Sequence, residues 1–101
     1  MTDRGEQTKQ RLEALDAVCD ALAHPARRQI LMTIHFCGGE ATAGYIAARF
    51  AHAWPTTTRH LQALETAGVL VHEKRGRERV YRFQRDRLRV LEEWLAWFDA
   101  K

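Results

Sequence analysis

The sequence has few cysteines and no long apolar run. Its 101 residues include two cysteines, Cys19 and Cys37, which are too few for a disulfide framework, and no C-x-x-C pair suggests zinc. No apolar run approaches the roughly 18 residues that a membrane helix needs, and the polar start lacks the apolar centre of a signal peptide. We therefore expect a cytoplasmic chain with no membrane partner and a core that is held together by packing.

Signatures of catalysis are also missing from the sequence. There is no glycine-rich phosphate loop, no nucleophile motif and no cluster of metal ligands. The adjacent Glu92 and Glu93 would point about 100° apart on a helix, which suits a solvated face better than a catalytic pair. We expect one domain that is not an enzyme and that needs no cofactor.

Positive charge is concentrated in the last third of the chain. The net charge is +3, but residues 72–89 contain eight basic and three acidic side chains and so carry +5 by themselves. Local clustering of this kind indicates a polyanionic partner. On charge alone, a solvated charged face explains the cluster equally well.

Hydrophobic periodicity divides the chain into several helices and one pair of strands. Residues 1–7 are interpreted as a flexible tail, and residues 8–101 as a single domain. The stretch 51–54 is too short for anything but a turn. The predicted helices are residues 8–23, a helix that opens at Pro25 and stops at Gly38-Gly39, a short helix capped by Thr42, residues 55–67, and a helix from Asp86 onward.

After Gly68 the apolar period changes to two residues. Val69-Leu70-Val71 begins one strand and Val80-Tyr81-Arg82-Phe83 forms another, with Arg75-Gly76-Arg77-Glu78 as the turn between them. The predicted order is four helices, two strands and a final helix. This mainly α arrangement with a small β-hairpin is a winged helix-turn-helix, ααααββα.

The helix at residues 55–67 is the candidate recognition helix, because an α-helix fits the DNA major groove, where base edges are distinguishable. At 100° per residue, Thr57, Leu61 and Leu64 face inward. Arg59 is the best candidate for a base contact, since the two donors of its guanidinium match the spacing of the acceptors O6 and N7 of guanine. The predicted DNA-contacting residues of this helix are Thr56, Thr58, Arg59, His60 and Gln62.

The charged hairpin is predicted to contact phosphates as a wing. Exposed hairpins also carry basic residues that discourage pairing at a strand edge, which is the structural alternative. Trp54 is interpreted as a hydrophobic staple onto the recognition helix in preference to a DNA contact. The predicted wing contacts are Lys74, Arg75, Arg77 and Arg79.

Three segments carry a pattern that goes beyond periodicity. They are ALAHPARRQIL at residues 21–31, IA followed by PTTTRHLQALETAGVL at 46–47 and 55–70, and RGRERVYRF at 75–83. In this order, within residues 12–98, they resemble the ArsR/SmtB family of bacterial winged-helix repressors. The corresponding family motifs are A-L-A-D-P-x-R-x-x-I-L, I-A…P-x-V-S-x-H-L…L…A-G-L-V and R-x-G-R-x-x-x-Y-x-L.

The resemblance implies a homodimer that binds double-stranded DNA at an operator with dyad symmetry and represses a promoter. It also implies dimerisation through the first and last helices. Independently of the resemblance, the last helix offers more apolar surface than a terminal helix of a small monomer normally exposes, and two leucines of the first helix would complete that surface. The alternatives are that one domain's core absorbs these residues, and that the chain is a winged-helix protein-interaction module without specific DNA binding. The predicted dimer residues are Leu12, Leu15, Leu88, Leu91, Trp94, Leu95 and Phe98.

The sequence departs from the family pattern at the positions of its metal ligands. Thr42-Ala43-Gly44 stands where family metal sensors have C-x-C, and the last helix contains carboxylates without any histidine. A soft-metal site needs thiolates and a zinc site usually needs imidazole, so we expect no bound metal. Cys19 and Cys37 are interpreted as small buried residues in preference to redox or metal sensors. The sequence identifies no inducer.

Overall fold

A computed structural model describes residues 4–50 and 53–99 of the chain. Its helices are α1 (Arg4–Leu22), α2 (Pro25–Phe36), α3 (Ala43–Ala48), α4 (Trp54–Thr66) and α5 (Arg89–Ala96). Its strands are β1 (Glu40–Thr42), β2 (Leu70–Arg75) and β3 (Glu78–Phe83), and a 3₁₀ helix, Arg85–Leu88, leads into α5. No helix in this part of the chain combines the length and the apolar character that crossing a membrane requires.

The core lies between α1, α2, α4 and the sheet. The helical period predicted from the sequence turns Ile30 and Ile34 of α2 inward, as it does Leu61 and Leu64 of α4, and all four are buried. Burial of each such side chain contributes about 1.5–3 kcal/mol relative to leaving it in water. The packing of α2 against α4 therefore fixes the position of the candidate recognition helix.

The first turns of α2 and α3 follow from their capping residues. Thr42 caps α3 as predicted, since its Oγ1 accepts a hydrogen bond from the backbone N–H of Tyr45 at 3.0 Å. His24 stands at the N-cap of α2 without a side-chain capping bond. Pro25 is the first residue of α2, where its missing N–H costs nothing.

The sheet has three antiparallel strands in the order β1-β3-β2, where the sequence predicted only a hairpin. Strand β1 was missed because three residues are too few to display a period. It forms by pairing with β3, with Ala41 opposite Tyr81. In the hairpin, Arg75 pairs with Glu78 and Gly76 has a φ of +62°, so a glycine-first two-residue turn closes it.

Several predicted boundaries need correction. Helix α1 begins at Arg4 and not at residue 8, so residues 4–7 of the predicted tail are helical, while residues 1–3 lie outside the described residues. Trp54 is the first residue of α4 and not part of a turn, and Ala51 and His52 of that predicted turn also lie outside. The final segment starts as a 3₁₀ helix before α5, and residues 100–101 are not described.

The end of α4 is attached to the segment that leads into α5. The Nε of Arg87 donates a hydrogen bond to the backbone carbonyl of Ala67 at 3.0 Å, and the backbone N–H of Gln84 donates to the carbonyl of Val69 at 2.8 Å. Gly68 between these carbonyls has a φ of +81°. Helix α4, the candidate recognition helix, therefore ends in a turn that the start of the last helical segment holds in place.

Candidate nucleic-acid interface

The outward face of α4 is polar and open. Arg59 and Gln62 are exposed, whereas Thr57, Leu61 and Leu64 of the same helix are buried. This division agrees with the helical wheel drawn from the sequence. Arg59 has no ion-pair partner within residues 4–50 and 53–99, so its guanidinium is available to a ligand.

The two flanking residues of α4 differ in their surroundings. Thr58 lines a groove of about 490 Å³ between the first turns of α3 and α4 and the wing. His60 lies on the other flank, where its Nδ1 accepts a hydrogen bond from the Nε of Arg27 at 3.3 Å. The structure thus brings Thr58 towards the wing and His60 towards α2.

The groove beside α4 also contains residues from the wing. Its walls include Arg77 and Arg79 of the hairpin, and Trp54 lies at its edge. Trp54 is more than half exposed and is the first residue of α4. The interpretation of Trp54 as a hydrophobic staple is therefore wrong, because a staple residue precedes the cap and packs onto the helix.

Most of the basic residues in the segment 72–89 have partners within the protein. Arg85 pairs with Glu92 at 3.1 Å, Arg89 lies 3.6 Å from Asp86, and Arg87 caps α4. Arg75 and Arg82 pair with carboxylates on the sheet. Within the described part of the chain, the basic residues of this segment without an ion-pair or hydrogen-bond partner are Lys74, Arg77 and Arg79.

The three unpartnered wing cations lie close together. Lys74 and Arg79 are directly opposite in the register of β2 and β3, so they share one face of the hairpin. Tyr81, two residues along from Arg79, is buried in the core, so this is the face turned towards the helices. Arg77 stands in the turn between the strands. The positive charge available to a ligand is therefore concentrated at the wing tip and on its α4 side.

Arg75, although predicted as a wing contact, is held on the other face of the sheet. Its guanidinium donates to Glu40 at 2.7 Å and to Glu73 at 2.7 Å. Arg82 donates to the same Glu73 oxygen at 2.9 Å. Through these hydrogen bonds and its charge, Arg75 holds the pKa of both carboxyls below their usual value, so both are ionised at neutral pH. Glu40 and Glu73 were not among the predicted site residues.

The predicted dimer residues form an open apolar face on α1 and on the C-terminal segment, which comprises the 3₁₀ helix, α5 and the turn after it. Helix α5 has no buried residue, and Trp94 and Phe98 meet edge to face with ring centroids 5.0 Å apart. A hollow of about 350 Å³ separates this helix from α1. On this face the exposed members of the predicted set are Leu12, Trp94, Leu95 and Phe98, and the half-buried ones are Leu15, Leu88 and Leu91.

The cysteines do not have the surroundings expected from the sequence. Both Cys19 and Cys37 are exposed thiols, so their interpretation as buried residues is wrong. In residues 4–50 and 53–99 no three histidine, cysteine or carboxylate side chains are grouped as metal ligands. Nothing in this part of the chain assigns either thiol a role.

Neither a family model nor a curated protein sequence matches the chain. Among solved structures, an ArsR family transcriptional regulator is 32% identical over 86% of this chain and 88% of its own, with a TM-score of 0.78. An ArsR-like transcriptional regulator from Rhodococcus sp. RHA1 is 30% identical over 87% and 85%, with a TM-score of 0.71.

A third similar structure was solved in solution. It is the homodimeric winged helix-turn-helix DNA-binding domain of a possible ArsR-family transcriptional regulator from Mycobacterium bovis. That domain is 26% identical over 98% of this chain and 91% of its own, with a TM-score of 0.74. Structural similarity and sequence identity of 30% or more extend over most of both chains, and the chain belongs to the ArsR family of transcriptional regulators.

Proposed function

We propose that this chain is a transcriptional repressor that binds a pseudo-palindromic DNA operator as a homodimer. The observation that carries the proposal is the pair of like charges beside α4, Lys74 opposite Arg79, with Arg77 in the adjoining turn. Like charges directly opposite each other destabilise a sheet. A phosphate group between them would attract both, and DNA supplies phosphates in a regular row.

In this proposal α4 enters the major groove and the wing follows the neighbouring backbone. Arg59 distinguishes a base, because its guanidinium donates two parallel hydrogen bonds to O6 and N7 of guanine. His60 is bonded to Arg27, so we assign it the positioning of α4 against α2 and no base contact. Single hydrogen bonds to bases or phosphates come from Thr56, Thr58 and Gln62.

The wing supplies affinity that is independent of sequence. Lys74, Arg77 and Arg79 neutralise phosphates, and each neutralised phosphate releases counterions into the solvent. We leave Arg75 out of this set because carboxylates already bind it. The three remaining wing contacts orient α4 on the duplex while Arg59 reads it.

A second copy of the chain completes the DNA-binding surface. The neighbour from Mycobacterium bovis is a homodimer, and the open face of α1 and α5 in this chain supplies apolar surface for the same kind of association. Two-fold symmetry places two α4 helices in successive major grooves. The operator then has two half-sites about one helical turn apart.

The remaining assignments follow from the proposed role. A regulator of bacterial promoters works where the chromosome lies, so we propose a cytoplasmic location. The similar solved structures are transcriptional regulators, and we propose neither catalytic activity nor a cofactor for this chain.

Two arginine variants test the proposal on two kinds of DNA. Genomic fragments that bind the purified chain are sequenced first, which defines a specific duplex. We expect Arg59→Ala to weaken binding to that duplex by about 1–3 kcal/mol, roughly 5- to 150-fold, with little change on random duplex. We expect Arg77→Ala to weaken both duplexes alike and to reduce the slope of log K against log salt by about 0.9.

The contrast between the two variants decides the assignment. If Arg59→Ala binds both duplexes as the parent does, α4 does not read the sequence. If the parent chain binds no duplex at any salt concentration, the repressor is excluded and a protein-interaction module takes its place. Thermal melts of both variants check that the fold is intact.

A further inference from the structure

The outer face of the wing sheet carries four charged residues around one valine. Glu73 lies directly opposite Val80, and Arg82 lies directly opposite Glu40. Residues directly opposite each other on neighbouring strands share a face of the sheet, and so do alternate residues along one strand. Arg75 is two residues from Glu73 on β2 and therefore belongs to this face as well. Val80 is only 6% exposed although it is on the face turned away from the core. We call these four charged residues the outer-face network.

The outer-face network carries no net charge. The shortest contacts between its two arginines and two carboxylates are 2.7 to 2.9 Å long. Arg75 is its central member, since it donates to Glu40 through both terminal nitrogens and to Glu73 through Nε and one of them. Individual exposed ion pairs are weak, but bidentate geometry and a network strengthen them.

Arg75 is also next to the proposed phosphate contacts. It lies opposite Glu78 in the strand register at the end of the hairpin, and only Gly76 separates it from Arg77 along the chain. An arginine at this position, released from its carboxylates, has the reach to contact a DNA backbone that the wing follows. The structure therefore places a fourth cation beside the proposed phosphate contacts, where carboxylates bind it on the opposite face of the sheet.

We propose that Glu40 and Glu73 limit the sequence-independent affinity for DNA by withholding Arg75 from the phosphate backbone, an inference that rests on the proposed DNA binding. A phosphate contact adds affinity for every sequence equally. A fourth wing contact would raise the affinity for the operator and for random duplex alike. The two carboxylates thus keep the affinity for random duplex low, and Arg82 holds Glu73 in place.

Salt titrations on random duplex test the inference in two backgrounds. In the parent chain, Arg75→Gln should leave the slope of log K against log salt unchanged, because the arginine touches no phosphate. The double variant Glu40→Gln/Glu73→Gln should have a slope steeper than that of the parent by about 0.9. Between 50 and 200 mM salt, its affinity should therefore fall by a factor roughly threefold larger than the parent's. Adding Arg75→Gln to that double variant should return the slope to the parent value.

Two controls separate the network from general charge effects. Arg77→Gln should reduce the slope by about 0.9 in both backgrounds, since its contact does not depend on the carboxylates. Glu78→Gln removes a wing carboxylate that has no ion-pair partner in the described part of the chain. In the Glu78→Gln background, Arg75→Gln should still leave the slope unchanged.

The outcomes distinguish this inference from the proposed function. A loss of about 0.9 in slope for Arg75→Gln in the parent chain would mean that Arg75 contacts phosphate directly, and the inference is then wrong while DNA binding stands. The inference is also wrong if Arg75→Gln has no effect in the Glu40→Gln/Glu73→Gln background. Absence of any salt-dependent duplex binding by the parent rejects the proposed function itself.

Discussion

Thr57 is the one polar residue in the core beneath α4 among the described residues. It is 2% exposed, and its Oγ1 has no hydrogen-bond partner within residues 4–50 and 53–99. A buried hydroxyl that lacks a partner costs about 1–3 kcal/mol of desolvation. The unpaired hydroxyl therefore destabilises the helix that is proposed to read DNA, at the position next to the groove-lining Thr58.

We expect Thr57→Val to raise the free energy of unfolding by about 1 kcal/mol, because valine keeps the shape of threonine and removes the unpaired hydroxyl. Urea denaturation measures the change. Thr58→Val is the matched control, since Thr58 lines the groove and is only half-buried. The control should leave stability within about 0.5 kcal/mol of the parent. A loss of stability in Thr57→Val would mean that its hydroxyl is satisfied.

At this scale the sequence predicted which side chains turn inward but not which charges pair. The period of 3.6 residues was enough to sort Arg59 and Gln62 from Leu61, since it depends only on the helix itself. Glu40 and Arg75 are 35 residues apart in the sequence. They meet because β1 joins the sheet, and no local pattern contains that information.

At the scale of elements, the end of α4 and the start of the last helical segment act as one unit. Gly68 has a positive φ, and a Cβ at this position would lie 2.7 Å from the Nε of Arg87. Alanine there would adopt a left-handed conformation that costs about 1–2 kcal/mol. It would also displace the guanidinium that caps the carbonyl of Ala67.

We expect Gly68→Ala to destabilise the chain by about 2–3 kcal/mol, the sum of the backbone cost and one lost hydrogen bond. Gly44→Ala is the control, because Gly44 lies inside α3 with open space around it. That change should be neutral or stabilising by up to about 1 kcal/mol, as expected for glycine in a helix. Thermal denaturation compares the two, and equal effects would contradict the role assigned to Arg87.

The sequence predicted long elements well and short ones poorly. Four glycine or proline signals placed the ends of α2 and α4 within about one residue, because backbone restrictions act locally. The three-residue strand β1 and the 3₁₀ helix before α5 were missed. Both depend on contacts with distant parts of the chain, β1 through its register with β3 and the 3₁₀ helix through its attachment to the end of α4.

At the scale of the whole molecule, the face of α1 and α5 is an apolar surface that nothing in residues 4–50 and 53–99 covers. The apolar spacing of the last helix predicted this face, but one chain's sequence does not show what covers it. Phe98 is 71% exposed there, beside Trp94. Phe36 at the end of α2 is 76% exposed and lies outside the predicted interface. It is therefore a control for Phe98 with the same side chain and a similar exposure.

We expect Phe98→Asp to raise the dissociation constant of the dimer about 10- to 100-fold, because it places a charge in an apolar interface. Phe36→Asp introduces the same charge at similar exposure and should leave the dimer intact. Sedimentation equilibrium over a range of protein concentrations measures both. Phe98→Asp should also lose most of its affinity for the full operator, since a monomer binds only one half-site. If Phe98→Asp remains dimeric, or if Phe36→Asp dissociates equally, the chain associates through a surface other than α1 and α5.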